Sequence, residues 1–162
     1  MKFLDMVYRI VCWTLGLVFI WAGGVKLLSP KDFAVLIEAY GIVPDLFLMP
    51  VAVFLPALEV IGGLGLLFDI KGSLGLISGL LVLFLIILGY AIYMGLDVDC
   101  GCFGPEDPEA RAFHGLRTAF YRDLGLMAGI LFMAAWRKIR GIQPKPAARY
   151  LNLNILKKEE LA

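Results

Sequence analysis

Residues 72–96 read GSLGLISGLLVLFLIILGYAIYMGL, an unbroken run without a single charge. A helix needs about 20 mostly apolar residues to cross the hydrocarbon of a bilayer, where an unpaired backbone polar group finds no water. This run commits the chain to lipid, and the rest is read around it. The first of three further runs is uncharged over 10–25 and bracketed by Arg9 and Lys26, whose long stems can snorkel to the two interfaces. The second covers 46–68 and contains one charge, Glu59. The last covers 116–136 and reaches full length only by including Arg117, Arg122 and Asp123. The expected architecture is an all-α integral membrane protein, a four-transmembrane-helix bundle with spans at about 8–28, 46–68, 73–96 and 116–136.

The composition agrees. With 60% hydrophobic and 18% charged residues the chain lies far from a soluble globular norm. A formal net charge of +1 lacks the field expected of a nucleic-acid binder, and no basic helix with interleaved aromatics occurs before the C-terminal tail. The partner implied by composition is the lipid bilayer. The first run is longer than the apolar core of a signal peptide, and Lys26 stands where a cleavage site would want small residues, so a retained helix is expected.

Lys and Arg set the expected orientation. With a cytoplasmic N-terminus, the inside carries Lys2, Arg9, Lys71, Arg137, Lys138, Arg140, Lys145, Arg149, Lys157 and Lys158, and the outside only Lys26, Lys31, Arg111, Arg117 and Arg122. Both termini then face the cytoplasm. In a bacterium the protein spans the inner membrane, and the segment after the third span faces the periplasm, where disulfides persist. Residues 1–136 form the membrane domain, and 137–162 form a basic cytoplasmic tail held near anionic lipid.

Between spans one and two, SPKDFAVLIEAYGIVP places Phe33, Leu36, Ile37 and Tyr40 at helical spacing after Pro30 and ends at Gly41 and Pro44. This predicts a short amphipathic helix lying in the interface. The turn at 69–71 makes spans two and three an antiparallel hairpin. Gly75 and Gly79, like Gly125 and Gly129, form GxxxG pairs that predict close helix contact, and Gly62, Gly63 and Gly65 can serve likewise.

Candidate chemistry centres on DVDCGCFGP at 97–105. Cys100 and Cys102 are close enough to join, but the ring closed by Cys-Gly-Cys is so small that strain favours its reduction and raises its potential. Gly101 relieves part of that strain. A structural staple is excluded, since so short a loop removes little chain entropy. A redox pair, a two-thiolate copper(I) site and inert thiols remain. Zinc lacks ligands at a recognised spacing: beyond the thiols there are only His114 and the acids Asp97, Asp99, Glu106, Asp107 and Glu109, so no metal is assigned. His114 can exchange a proton with a thiolate. The nearby acids raise thiol pKa, whereas Arg111, Arg117 or His114 lower it. Cys12, in the inner half of span one, is expected to be a small buried hydrophobe.

Glu59 is costly in a span and should face the bundle interior, either locking two helices or serving proton movement or ligand binding. About 14 residues separate it from the outer end of its span, roughly 20 Å at helical rise. Lys26 at the outer side is therefore expected to lie too far away, with Arg9 approaching from the inner side. Arg122 and Asp123 diverge by about 100 degrees as helix neighbours and are expected to seek partners elsewhere, Arg122 at a thiolate and Asp123 at Lys26.

Taken in order, FIWAGGVKLLSPKDFAVLIEAYGIVP, LPALEVIGGLGLLF, DCGCFGP and YRDLGL resemble the methylamine-utilisation MauE family within the broader DoxX-like membrane proteins, over residues 10–135. The resemblance implies a four-helix membrane protein associated with redox chemistry, which matures a periplasmic partner through disulfide formation or electron delivery to a thiol carrier. It puts the exchangeable dithiol at Cys100 and Cys102 and matches Lys26, Glu59, Arg122 and Asp123 to charged family positions. The leading expectation is thus a thiol–disulfide exchange or electron-transfer protein whose partner is a periplasmic thiol protein or a membrane oxidoreductase subunit. A membrane quinone is the candidate electron acceptor, by analogy with four-helix disulfide oxidases. Those enzymes carry CxxC and a second cysteine pair, which this chain lacks. The alternatives are a non-catalytic anchor of an oxidoreductase complex and a soft-metal carrier.

Overall fold

A proline sets the first boundary. In the computed structural model, which describes residues 2–95 and 116–141, helix α1 (Lys2–Leu28) stops just before Ser29, because a residue preceding proline is pushed out of the helical region. Ser29 accordingly has φ −129° and ψ 66°. Pro30 then opens α2 (Pro30–Ala39), at a position where its missing N–H would be unpaired anyway. Gly41 closes that helix with φ +64° and donates its N–H to the Glu38 carbonyl at 2.8 Å. Helix α3 (Asp45–Leu67) follows Pro44 and runs through Pro50 and Pro56. A tight turn with Asp69 at φ 52° and Gly72 at φ 98° leads into α4 (Ser73–Tyr93), and α5 (Leu116–Arg140) completes the bundle.

Four of these helices, Leu4–Leu28, Asp45–Leu67, Ser73–Tyr93 and Arg117–Arg140, are long and apolar enough to cross a membrane. The protein is an all-α, multi-pass membrane protein, as the apolar runs require. The first and last helices outrun their expected spans. At the end of the bundle that carries the N-terminus, Asp5 accepts from Arg140 Nη2 at 2.5 Å and from Trp136 Nε1 at 3.1 Å. Arg137 bonds the Tyr8 hydroxyl through Nε at 2.8 Å and the Asp69 carboxylate through Nη2. These contacts hold α1, the α3–α4 turn and the last turn of α5 together, and the helix runs on to Arg140.

Small residues decide which helices touch closely. A Cβ on Gly63 would stand 2.7 Å from the Gly16 carbonyl oxygen, and one on Gly23 would stand 2.7 Å from the Pro56 carbonyl oxygen. Backbone meets backbone at both places, which only glycine allows. Gly62 and Gly65 likewise admit Ile77 and Ser73 of α4. The GxxxG expectation for α4 is corrected: a Cβ added to Gly75 or Gly79 would meet nothing within 4 Å, because both lie on the outward face of the hairpin. In α5, Gly129 meets Val11 and Leu15 of α1 while Gly125 meets nothing. The core thus formed is built on Leu15, Phe19, Leu66, Ile77, Leu81 and Met133.

Candidate functional site

The two glycine contacts also fix the register of α1 against α3. Gly16 lies level with Gly63, and Gly23 lies level with Pro56, Glu59 and Val60. Helix α1 therefore ends about two turns short of the start of α3. Those two turns of α3 are covered instead by α2, whose Ala34 packs on Leu48 and Ala52.

This offset brings Lys26 to Glu59. Side chains tilt toward the N-terminus of their own helix, so in an antiparallel pair Lys26 and Glu59 lean toward each other. Lys26 Nζ donates to Glu59 Oε1 at 2.7 Å, with side-chain exposures of 4% and 1%. The expectation that Lys26 lies too far away is corrected. It assumes that both spans begin at one surface, whereas α2 takes the place of the missing end of α1. Arg9 belongs to the opposite end of α1. The ammonium is further enclosed by the rings of Phe84 and Phe33, at 4.8 and 5.2 Å from their centroids. Such contacts soften the burial of a cation.

Arg122 and Asp123 correct a second expectation. Nε and Nη2 of Arg122 both reach Asp123 Oδ1 at 3.0 Å. The divergence of neighbouring positions holds for Cβ atoms, but the long arginine stem curls back to span it. Asp123 is buried and Arg122 is about one-third exposed.

Both ion pairs open onto one cavity of about 140 Å³ whose lining is otherwise almost wholly apolar. Among the described residues the buried charged side chains are Lys26, Glu59 and Asp123, and all three line it. Helix α2 forms its roof. Phe33, Leu36, Ile37 and Tyr40, which the sequence assigns to a face against the lipid interface, turn into this cavity. Their spacing was the available signal for the roof; nothing in it says which apolar neighbour the face meets. Phe84 and Leu88 of α4, which also border the space, carry no sequence signal that separates them from lipid-facing neighbours.

Cys12 sits in the other half of the bundle, 5% exposed, its thiol donating to the Leu66 carbonyl at 3.0 Å. It is the small buried residue expected there. Cys100, Cys102 and His114 lie outside the described residues, as do the neighbouring acids, Arg111 and the chain beyond 141. Among the described residues no three His, Cys, Asp or Glu side chains converge as metal ligands.

The apolar helices and the charge-lined cavity define a multi-pass membrane protein with a polar site enclosed in its bundle. The chain belongs to the MauE family: the family model described as Methylamine utilisation protein MauE matches residues 4–137. No curated protein and no solved structure matches the chain.

Proposed function

We propose that the protein is a membrane thiol–disulfide exchange protein of the bacterial inner membrane, with Cys100 and Cys102 as its exchangeable pair on the periplasmic side and both termini in the cytoplasm. The observation that supports this is one of position. The segment carrying the two cysteines leaves α4 after Tyr93 and rejoins α5 at Leu116, at the end of the bundle that holds the cavity. Leu88 and Arg122, on the cavity wall, stand five and six residues from those attachment points, about 8 to 9 Å at helical rise.

The small Cys-Gly-Cys ring makes the oxidised pair an oxidant. A thiolate of a periplasmic partner attacks one sulfur of the Cys100–Cys102 disulfide, forming a mixed disulfide and releasing the other cysteine as thiolate. The second thiol of the partner then displaces the mixed bond. The partner leaves with a new disulfide, having lost two electrons and two protons, and Cys100 and Cys102 are left reduced. Such a step would mature an extracytoplasmic protein.

The test mixes the oxidised purified protein with one equivalent of a reduced dithiol peptide and counts thiols on each. The expected result is loss of both peptide thiols with the appearance of two on the protein, abolished in the Cys100→Ser/Cys102→Ser variant. Equal peptide oxidation with and without the two cysteines would refute the proposal, and normal partner maturation in cells carrying the double variant would favour a non-catalytic anchor.

A further inference from the structure

The dithiol left by that exchange must be reoxidised, and a membrane quinone is an acceptor that takes up two electrons and two protons together. We propose that the cavity roofed by α2 seats the ring of a membrane quinone, which reoxidises the Cys100–Cys102 dithiol; the source of the electrons rests on the thiol function proposed above, the seat itself does not.

The size, the lining and the placement of charge point to this occupant. A cavity of about 150 Å³ in an apolar protein core holds one benzene ring, and this one is about 140 Å³. Its walls are aliphatic and aromatic, Phe33 and Phe84 among them. An ordinary lipid chain has no use for charged side chains at its centre. A quinone does, because each carbonyl oxygen accepts a hydrogen bond before reduction and a proton during it. Lys26 supplies a buried donor, and Glu59 and Asp123 supply two carboxyl groups on the same cavity.

The ion pairs argue in the same direction. A buried salt bridge is weak evidence for stability, since a well-packed apolar pair of similar volume often does as well. Two ion pairs facing a single space, Lys26–Glu59 almost fully buried and Arg122–Asp123 about two turns from the start of α5, are better explained by a ligand. The balance is complete. The two cysteines form a sulfur–sulfur bond and lose two electrons and two protons, and the quinone takes up both to become the quinol, with Lys26, Glu59 and Asp123 as the groups that hold protons beside its oxygens.

The experiment uses the full chain in lipid nanodiscs with a photoreactive azido-ubiquinone, and decylubiquinone as competitor, followed by peptide mapping. The expected result is label on cavity-facing positions of α2 or α4, displaced by the competitor. Labelling should fall about tenfold or more when a phenyl ring fills the space from either of two helices, in Ala22→Phe or Val51→Phe, and stay unchanged in Cys100→Ser/Cys102→Ser. Wild type supplied with dithiothreitol should also reduce decylubiquinone, and the serine variant should not. Label that is not competed, or that falls on outward residues such as Trp13 and Trp21 and ignores both fillers, overturns the seat and leaves the thiol function standing. Competed cavity labelling without dithiol-driven reduction overturns the electron transfer and leaves the seat.

Discussion

Lys26, two residues from the end of α1, donates to Glu59, fourteen residues into α3, at 2.7 Å and almost out of reach of solvent. That pairing joins two helices at different depths of their own spans. It is possible only because α2 fills the level that α1 does not reach. The same helix closes the cavity into which the pair opens, so one displacement in register produces both the buried charge and the space beside it.

Removing one partner should be far worse than removing both. Lys26→Met leaves a carboxylate that is 1% exposed without its cation and should cost about 3 kcal/mol or more, whereas adding Glu59→Met to it should restore most of that loss. Unfolding of each variant in mixed detergent micelles, monitored by helical circular dichroism, gives the comparison. A double variant as unstable as the weaker single one would mean that the pair is a structural lock with no slack.

Glycines that look alike in sequence should behave in opposite ways. Gly63→Ala drives a methyl into the Gly16 carbonyl, which cannot yield, and should destabilise by about 1 to 3 kcal/mol. Gly75→Ala and Gly79→Ala meet nothing and should be neutral or stabilising by about 0.5 kcal/mol. The same unfolding assay decides, and a large loss at Gly75 or Gly79 would reveal a helix contact beyond this bundle.

At the opposite end of the bundle, Arg137 and Arg140 carry the same charge but not the same burden. Arg137 is 11% exposed and serves both Tyr8 and Asp69, so Arg137→Ala should cost about 1.5 to 3 kcal/mol. Arg140 meets Asp5 at the surface, and Arg140→Ala should leave the thermal midpoint within error. Thermal scans of the two variants side by side test the ranking, and reversal would place the load on the surface pair.

The membrane spans were legible because hydrocarbon imposes one requirement, length without charge, that any sequence must display. The need of Glu59 for a partner was legible for the same reason. Its identity was not, because depth in the membrane depends on where each span begins, and nothing in SPKDFAVLIEAYGIVP says that α2 stands in for the end of α1. The pairing of Arg122 with Asp123 is not legible from helix position, because a long, flexible side chain reaches well past its Cβ. The outward Gly75 and the inward Gly63 differ only in what lies across from them, which a uniformly apolar helix does not encode. Family membership was legible from the order of motifs, none of which is specific alone.

A periplasm-facing redox pair at Cys100 and Cys102 is put to the test by labelling intact cells with a membrane-impermeant maleimide, with and without prior reductant. Cys12, buried against the Leu66 carbonyl, serves as the internal control and should stay unlabelled throughout. Labelling of Cys100 and Cys102 that depends on reductant is the expected result. Labelling of neither cysteine under both conditions would contradict the orientation, and equal labelling without reductant would contradict the disulfide.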